Sequence, residues 1–210
     1  MLLCWSAKGG SGTTVVTAAL SLLLSHTRPT IIVDLCGDIP AALGLPEPSG
    51  PGVADWLASP DADADALERL AIEATANLRV LPRGNSPMPS CPRWADLPGA
   101  LDLLDDDIVI DAGTGEPPAE LASCVDRSIL VIRPCYLSLR RLVTMRARPT
   151  ATVLITEPGR SLRAGDVERA VGAPVVAEVP FDPAVSKAVD AGLLVSRLPR
   201  SLTIALRDAA

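Results

Sequence analysis

Short apolar runs, mostly β-branched, alternate along this chain with stretches whose apolar residues recur at helical spacing. Leu2, Leu3, Cys4 and Trp5 read as a first buried strand, and Val15–Leu24 as the helix after it. Thr30–Val33 forms a second strand ending at Asp34, Asn77–Leu81 a third, and Ile108–Ile110 a fourth ending at Asp111. Further strands follow over 126–134, 151–156 and 174–179, with helices predicted at 137–147 and 166–171. Strands that are apolar throughout, rather than on alternate residues, belong to a sheet covered on both faces. The pattern predicts an α/β fold in one domain over 1–210: a doubly wound, mostly parallel sheet with helices on both faces. Its ligand site then lies at the carboxyl ends of the strands.

The intervening stretches carry less information. Residues 46–52 read as a loop. A capped helix follows, starting at Ser59 or Asp61, with Leu67, Leu70, Ala71 and Ala74 along one face. The proline-rich stretch 82–92 reads as the most mobile loop, without the register of a proline-recognition ligand. Near the end, 179–192 reads as a loop and helix, and 196–210 as one short helix with Leu202 and Leu206 inward.

Composition narrows the class. Hydrophobic content is 48% and mean hydropathy +0.31, yet the longest uncharged apolar run, Val15–Leu24, is too short to span a bilayer. The last helix is too short and too weakly apolar for a stable membrane anchor. Five cysteines without a C-x-x-C pair are expected to be buried free thiols, which places the chain in the cytoplasm. The single His26 excludes a histidine-based metal site or triad. Net charge is −6, but between Asp126 and Arg169 nine arginines face four acids, a local balance of +5 that leaves −11 for the remainder. Arg140, Arg141, Arg146 and Arg148 form either a solvated helical face or a contact surface for DNA, lipid headgroups or an acidic partner.

The candidate chemistry sits between the first strand and the first helix. In Ala7-Lys8-Gly9-Gly10-Ser11-Gly12-Thr13-Thr14, three glycines let backbone N–H groups converge, and the helix start adds partial positive charge. The phosphate-binding pattern G-x-x-x-x-G-K-[ST] has a lysine after its last glycine. Here that position is Thr13, and the lysine stands earlier, at Lys8. The segment resembles the deviant Walker A motif K-G-G-x-G-K-[ST] of the ParA/MinD family of positioning ATPases. The resemblance extends over nearly the whole chain.

That resemblance implies a fold, a cofactor and a set of roles. Lys8 matches the lysine that reaches nucleotide held by the partner of a sandwich homodimer. The lysine that holds the β- and γ-phosphates in its own subunit has no counterpart. Gly9, Gly10, Ser11, Gly12, Thr13 and Thr14 match the cradle for Mg-ATP or ADP, with the Thr14 hydroxyl and Asp111 as magnesium partners. Asp111, followed by Gly113 and Gly115, corresponds to the Walker B acid and the start of switch II. In switch I, Asp34 matches the first acid of a D-x-D pair and Cys36 replaces the second. Asp38, two residues on, either orients water or magnesium or N-caps the turn at Pro40. Thr156, Glu157 and Pro158 stand where relatives place an adenine-binding asparagine. The GD-x-x-x-x-LGL run, the Arg-Pro at 133–134 and the late VPFDP-x-V point toward the CpaE-like or septum-site-determining-like branch.

Losing a charge-assisted phosphate partner costs roughly 2–5 kcal/mol, or about thirtyfold to several thousandfold in affinity. The departures at Thr13, Cys36 and Thr156–Glu157 fall in three separate parts of the nucleotide site. They lead to an expectation of a positioning or scaffold protein with little or no ATP hydrolysis, acting through a homodimer or a protein partner. The alternatives are a slow ATPase that dimerises through Lys8, in partitioning, septum placement or pilus localisation, and a different enzyme on the same scaffold.

Overall fold

The computed structural model describes residues 1–210. The first half of the chain runs β1 (Leu2–Ser6), α1 (Thr13–Leu24), β2 (Thr30–Asp34), α2 (Ile39–Leu43), α3 (Val53–Ala58), α4 (Ala64–Glu68), β3 (Ile72–Thr75), β4 (Leu78–Leu81), α5 (Leu97–Leu101) and β5 (Asp107–Thr114). The second runs α6 (Ala119–Cys124), β6 (Arg127–Ile132), α7 (Tyr136–Thr144), β7 (Ala151–Thr156), α8 (Ala164–Val171), β8 (Val175–Pro180), α9 (Pro183–Asp190) and α10 (Arg200–Leu206). The strands form one eight-stranded sheet in the order β3-β4-β2-β5-β1-β6-β7-β8. Every pairing is parallel except the β3–β4 hairpin at the edge.

The all-apolar strands are explained by two cores, one on each side of the sheet. Leu3, Trp5, Ile31, Val33, Ile110, Leu130 and Ile132 point to one side, under Trp56, Leu101, Leu142 and Val167 of the covering helices. Their neighbours Leu2, Cys4, Ile32, Val109, Ile129 and Val131 point to the other, under α1 and α10 through Val16, Leu20, Leu202 and Leu206. Each large side chain withdrawn in this way contributes about 1.5–3 kcal/mol. Trp5 also satisfies its indole N–H, which donates to Ser128 Oγ at 3.0 Å in the interior.

Two expectations need correction. The helix predicted from Ser59 or Asp61 through Ala74 is a single turn, Ala64–Glu68, capped by Asp63, whose carboxylate accepts the Ala66 N–H at 2.8 Å. Ile72–Thr75 turns instead into an edge strand against β4. Leu70 and Ala71 mimic a helical face, but the hairpin supplies backbone partners that a longer helix would have had to find in its own exposed turns. The cysteines are free but not uniformly buried: Cys4 is enclosed, Cys36 and Cys135 are half-buried, and Cys91 and Cys124 are exposed. No helix is long and apolar enough to cross a membrane. The far end of the proline-rich stretch is pinned, with the Arg93 guanidinium 4.0 Å from the Trp56 ring centre and donating to Pro60 O.

Candidate functional site

Parallel strands all deliver their carboxyl ends to one edge, and the central pair, β1 and β5, delivers the two segments that matter most. Beyond Ser6 the chain folds back through Ala7–Gly12 before α1 begins. Hydroxyls fasten this turn: Ser11 Oγ donates to Lys8 O at 2.6 Å, and Ser6 Oγ lies 3.1 Å from Gly113 O and 3.2 Å from Lys8 O. Gly12 occupies the cap of α1 at φ 87°, a left-handed conformation that a residue with a Cβ adopts only with strain. No side chain caps α1 and no acid lies in its first turn. The first N–H groups of this twelve-residue helix are left for a ligand, with the helix dipole behind them.

Around this helix start lies a cleft of about 470 Å³ lined by Gly10–Val15, Cys36, Asp38, Gly113 and Thr114. Behind the lining residues Thr14 and Gly113, Asp111 is fully buried at the end of the apolar part of β5. One carboxylate oxygen accepts the Gly113 N–H at 3.0 Å, while the other is buried without a hydrogen bond of ordinary geometry. Burial pushes the Asp111 carboxyl up to about 6, against the lowering effect of the nearby Thr14 hydroxyl. A buried acid with one unsatisfied oxygen, beside a threonine hydroxyl and a ring of free N–H groups, suits a hard divalent cation carrying a polyphosphate. Gly113 sits at φ 62°, and a Cβ there would fall 2.0 Å from Cys36 Sγ, so the strand end and the 34–39 turn interlock only without a side chain.

The acids expected in switch I divide into two roles. Asp34 is buried and its carboxylate accepts the N–H groups of Cys36, Gly37 and Ile39 at 2.9, 2.7 and 3.1 Å. It organises the turn and does not line the cleft. Asp38 is exposed, and although it occupies the N-cap position of α2 its side chain makes no capping bond. Its carboxylate is therefore free at the mouth of the cleft. Cys36 remains a neutral thiol: burial, with Asp111, Asp34 and Asp38 nearby, pushes it up to about 12.

No lysine or arginine lines the phosphate-side cleft. Thr13, in the position of the missing lysine, is buried in the first turn of α1. Lys8 is outside, its ammonium making one long contact of 3.5 Å to Gly9 O, and it lies near enough to Cys135 to help lower that thiol's pKa, behind the larger effect of Ser138. Arg140, Arg141, Arg146 and Arg148 are likewise outside, exposed on α7 and the turn after it, beside exposed Tyr136, Leu137 and Val143.

A second cleft of about 230 Å³ opens from Gly10–Gly12 between α1 and the ends of β7 and β8, walled by Val15, Val16, Ile155, Val179 and Phe181, with Arg133 and Asp182 also in its lining. Its apolar walls suit a planar ring. The Arg133 and Arg160 guanidiniums converge on the largely buried Glu157, Arg160 Nη2 at 2.7 Å, and Arg133 lies 5.7 Å from the Phe181 ring centre. Glu157 is thus engaged by arginines beside the place where a base-reading amide is absent. Arg133, Phe181 and Asp182 were not assigned to the site from sequence, and the Arg-Pro and VPFDP segments were the only signals pointing at them.

No protein-family model matches the sequence, and no curated protein matches it by sequence. Solved structures do match by fold. A ParA family ATPase from Chlorobium tepidum is 19% identical with a TM-score of 0.79, covering 99% of this chain and 95% of its own. The septum site-determining protein MinD from Pyrococcus horikoshii, complexed with Mg-ADP, is 21% identical with a TM-score of 0.73, covering 97% of this chain and 91% of its own. A MinC:MinD cell division protein complex from Aquifex aeolicus matches at 16% identity and a TM-score of 0.71, over 91% and 85%. The fold is that of the ParA and MinD ATPases.

Proposed function

We propose that this chain is a ParA/MinD-like positioning or scaffold protein whose nucleotide site has lost the charge needed for turnover. One observation carries the reading: the phosphate-side cleft keeps its backbone cradle, its Thr14 hydroxyl and its buried Asp111, yet holds no cation and has Asp38 at its mouth. A polyphosphate entering it meets N–H dipoles and the Asp38 carboxylate, with Asp111 buried behind, and neutralisation depends on what it brings. A magnesium ion would supply that charge, held by Thr14 and Asp111, with Gly10–Thr14 around the phosphates. The apolar cleft by Val15, Ile155 and Phe181 would take the base. Binding is therefore weak and hydrolysis little or none, and function runs through a homodimer or a protein partner, as the MinC:MinD complex illustrates for a protein of the same fold. The arginine-rich α7 surface offers an additional contact for DNA.

The experiment is thermal unfolding with and without millimolar Mg-ATP, for wild type and Thr13→Lys. A ligand at a hundred times its Kd stabilises by about 2.7 kcal/mol, or about 5–10 °C in Tm for a chain of this size. The expected result is a shift confined to Thr13→Lys. A wild-type shift accompanied by phosphate release that Asp111→Ala abolishes would overturn the reading.

A second reading, a slow ATPase that dimerises through Lys8, is favoured by the weakly held, accessible Lys8 ammonium. A small-molecule kinase or synthetase on the same scaffold has no further acid–base constellation to support it.

A further inference from the structure

On the α1 side of the sheet, away from α7, the chain between β8 and α10 builds a second charged concavity. Three cations surround a cleft of about 550 Å³: Lys187 on α9, Arg197 in the turn after it and Arg200 at the start of α10. None of the three is within ion-pair distance of a carboxylate. The one acid in the lining, Asp182, is already engaged, its two oxygens accepting the Ala184 N–H at 2.8 Å and the Ser201 hydroxyl at 2.7 Å. Between the cations the floor is apolar, made by Ala188, Leu193 and Leu198, and Leu193 is 45% exposed.

We infer that this α9–α10 cleft binds an acidic peptide segment of a protein partner, one that alternates carboxylates with apolar anchors. The three cations have long, exposed side chains distributed over α9, the turn after it and the start of α10. They match charges spaced along an extended ligand, and the apolar floor between them matches its side chains. A DNA duplex would present phosphates without anchors for Leu193 and Leu198. The arginines of α7 lie on the opposite face of the sheet, since Leu142 of α7 belongs to one core and Leu202 and Leu206 of α10 to the other. One flat partner therefore does not reach both clusters. The inference does not depend on nucleotide, so either it or the pseudo-ATPase reading can fail alone.

The test is fluorescence anisotropy of the full chain with a labelled dodecapeptide of repeating Glu-Glu-Leu, beside a short DNA duplex and inorganic phosphate as competitors. Lys187→Glu combined with Arg197→Glu is expected to weaken peptide binding at least about tenfold, and Leu193→Ser to weaken it by a smaller factor at salt that screens the charges. Arg140→Glu combined with Arg141→Glu changes net charge equally on the other face and is expected to leave it unchanged. All the substituted side chains are exposed, and an unaltered Tm verifies that each variant is folded. Absence of peptide binding, an equal loss in both charge-reversal variants, or displacement of the peptide by duplex or by phosphate would overturn the proposal.

Discussion

A carboxyl group that is buried, half-satisfied and free of any cationic partner is a residue kept at a cost to stability. Asp111 fits that description, and its cost depends on pH. In the folded chain its proton is held up to about 6, whereas the reference carboxyl releases it near 3.8. Between those values the folded state binds more protons than the unfolded one, so this residue's contribution to stability falls as pH rises through the window. Asp111→Asn keeps the shape and removes the charge. Without nucleotide, the variant is expected to match wild type near pH 3.5 and to exceed it above pH 6 by at most about 3 kcal/mol. Melting curves of both proteins across that range check this, and a difference that does not change with pH would refute the assignment of a buried, uncompensated charge. The same residue shows what a linear motif can and cannot reveal. Lys8, Thr13, Thr14 and Asp111 are legible because each sits within a contiguous pattern beside its strand. Arg133, Phe181 and Asp182 are not, because they meet only beyond the ends of β6 and β8, strands on either side of β7, beside Gly10–Gly12. The distinction between Asp34, which holds a turn, and Asp38, which faces the cleft, is likewise decided by three backbone N–H groups that no spacing displays.

At the scale of elements, buried strands were legible and short helices were not. Runs such as Ile31–Val33 and Ile129–Ile132 are apolar on both faces, and only a sheet covered on both sides uses such a run. By contrast α2, α5 and α6 have five or six residues each, too few for a periodicity to show. The region 59–75 misleads for a specific reason. Its alternating Asp-Ala sequence offers several equivalent caps, and its alanines favour a helix where the chain forms the edge strand Ile72–Thr75. The structure selects Asp63, whose carboxylate is the one bonded to a first-turn N–H. Asp63→Ala is expected to cost about 1 kcal/mol, lowering Tm by about 2–4 °C, while Asp61→Ala leaves Tm within about a degree. Equal effects at the two positions, measured by thermal melts at neutral pH, would mean that the cap is shared or frayed.

For the molecule as a whole, the question is where positive charge for a polyphosphate can come from. Within one subunit the cleft has none: Asp38 lines it, Asp111 is buried behind it, Lys8 is not in its lining, and the arginines lie on α7, by Glu157 and around the α9–α10 cleft. Two routes remain, a lysine restored at position 13 or Lys8 contributed by a second copy, and the first should enable the second. Thr13→Lys would raise nucleotide affinity in each subunit, and bound polyphosphate would then attract the accessible Lys8 ammonium of another. Sedimentation velocity is therefore expected to show no change of wild type with Mg-ATP, a dimer of Thr13→Lys with Mg-ATP, and loss of that dimer when Lys8→Ala is added. If wild type itself dimerises with Mg-ATP and Lys8→Ala abolishes it, Lys8 alone supplies the missing charge. The slow ATPase then replaces the silent scaffold as the reading of this fold. If the protein is a dimer in every condition, including with Lys8→Ala, assembly is independent of nucleotide, and the cleft at Gly10–Thr14 is retained for the architecture that its glycine turn provides.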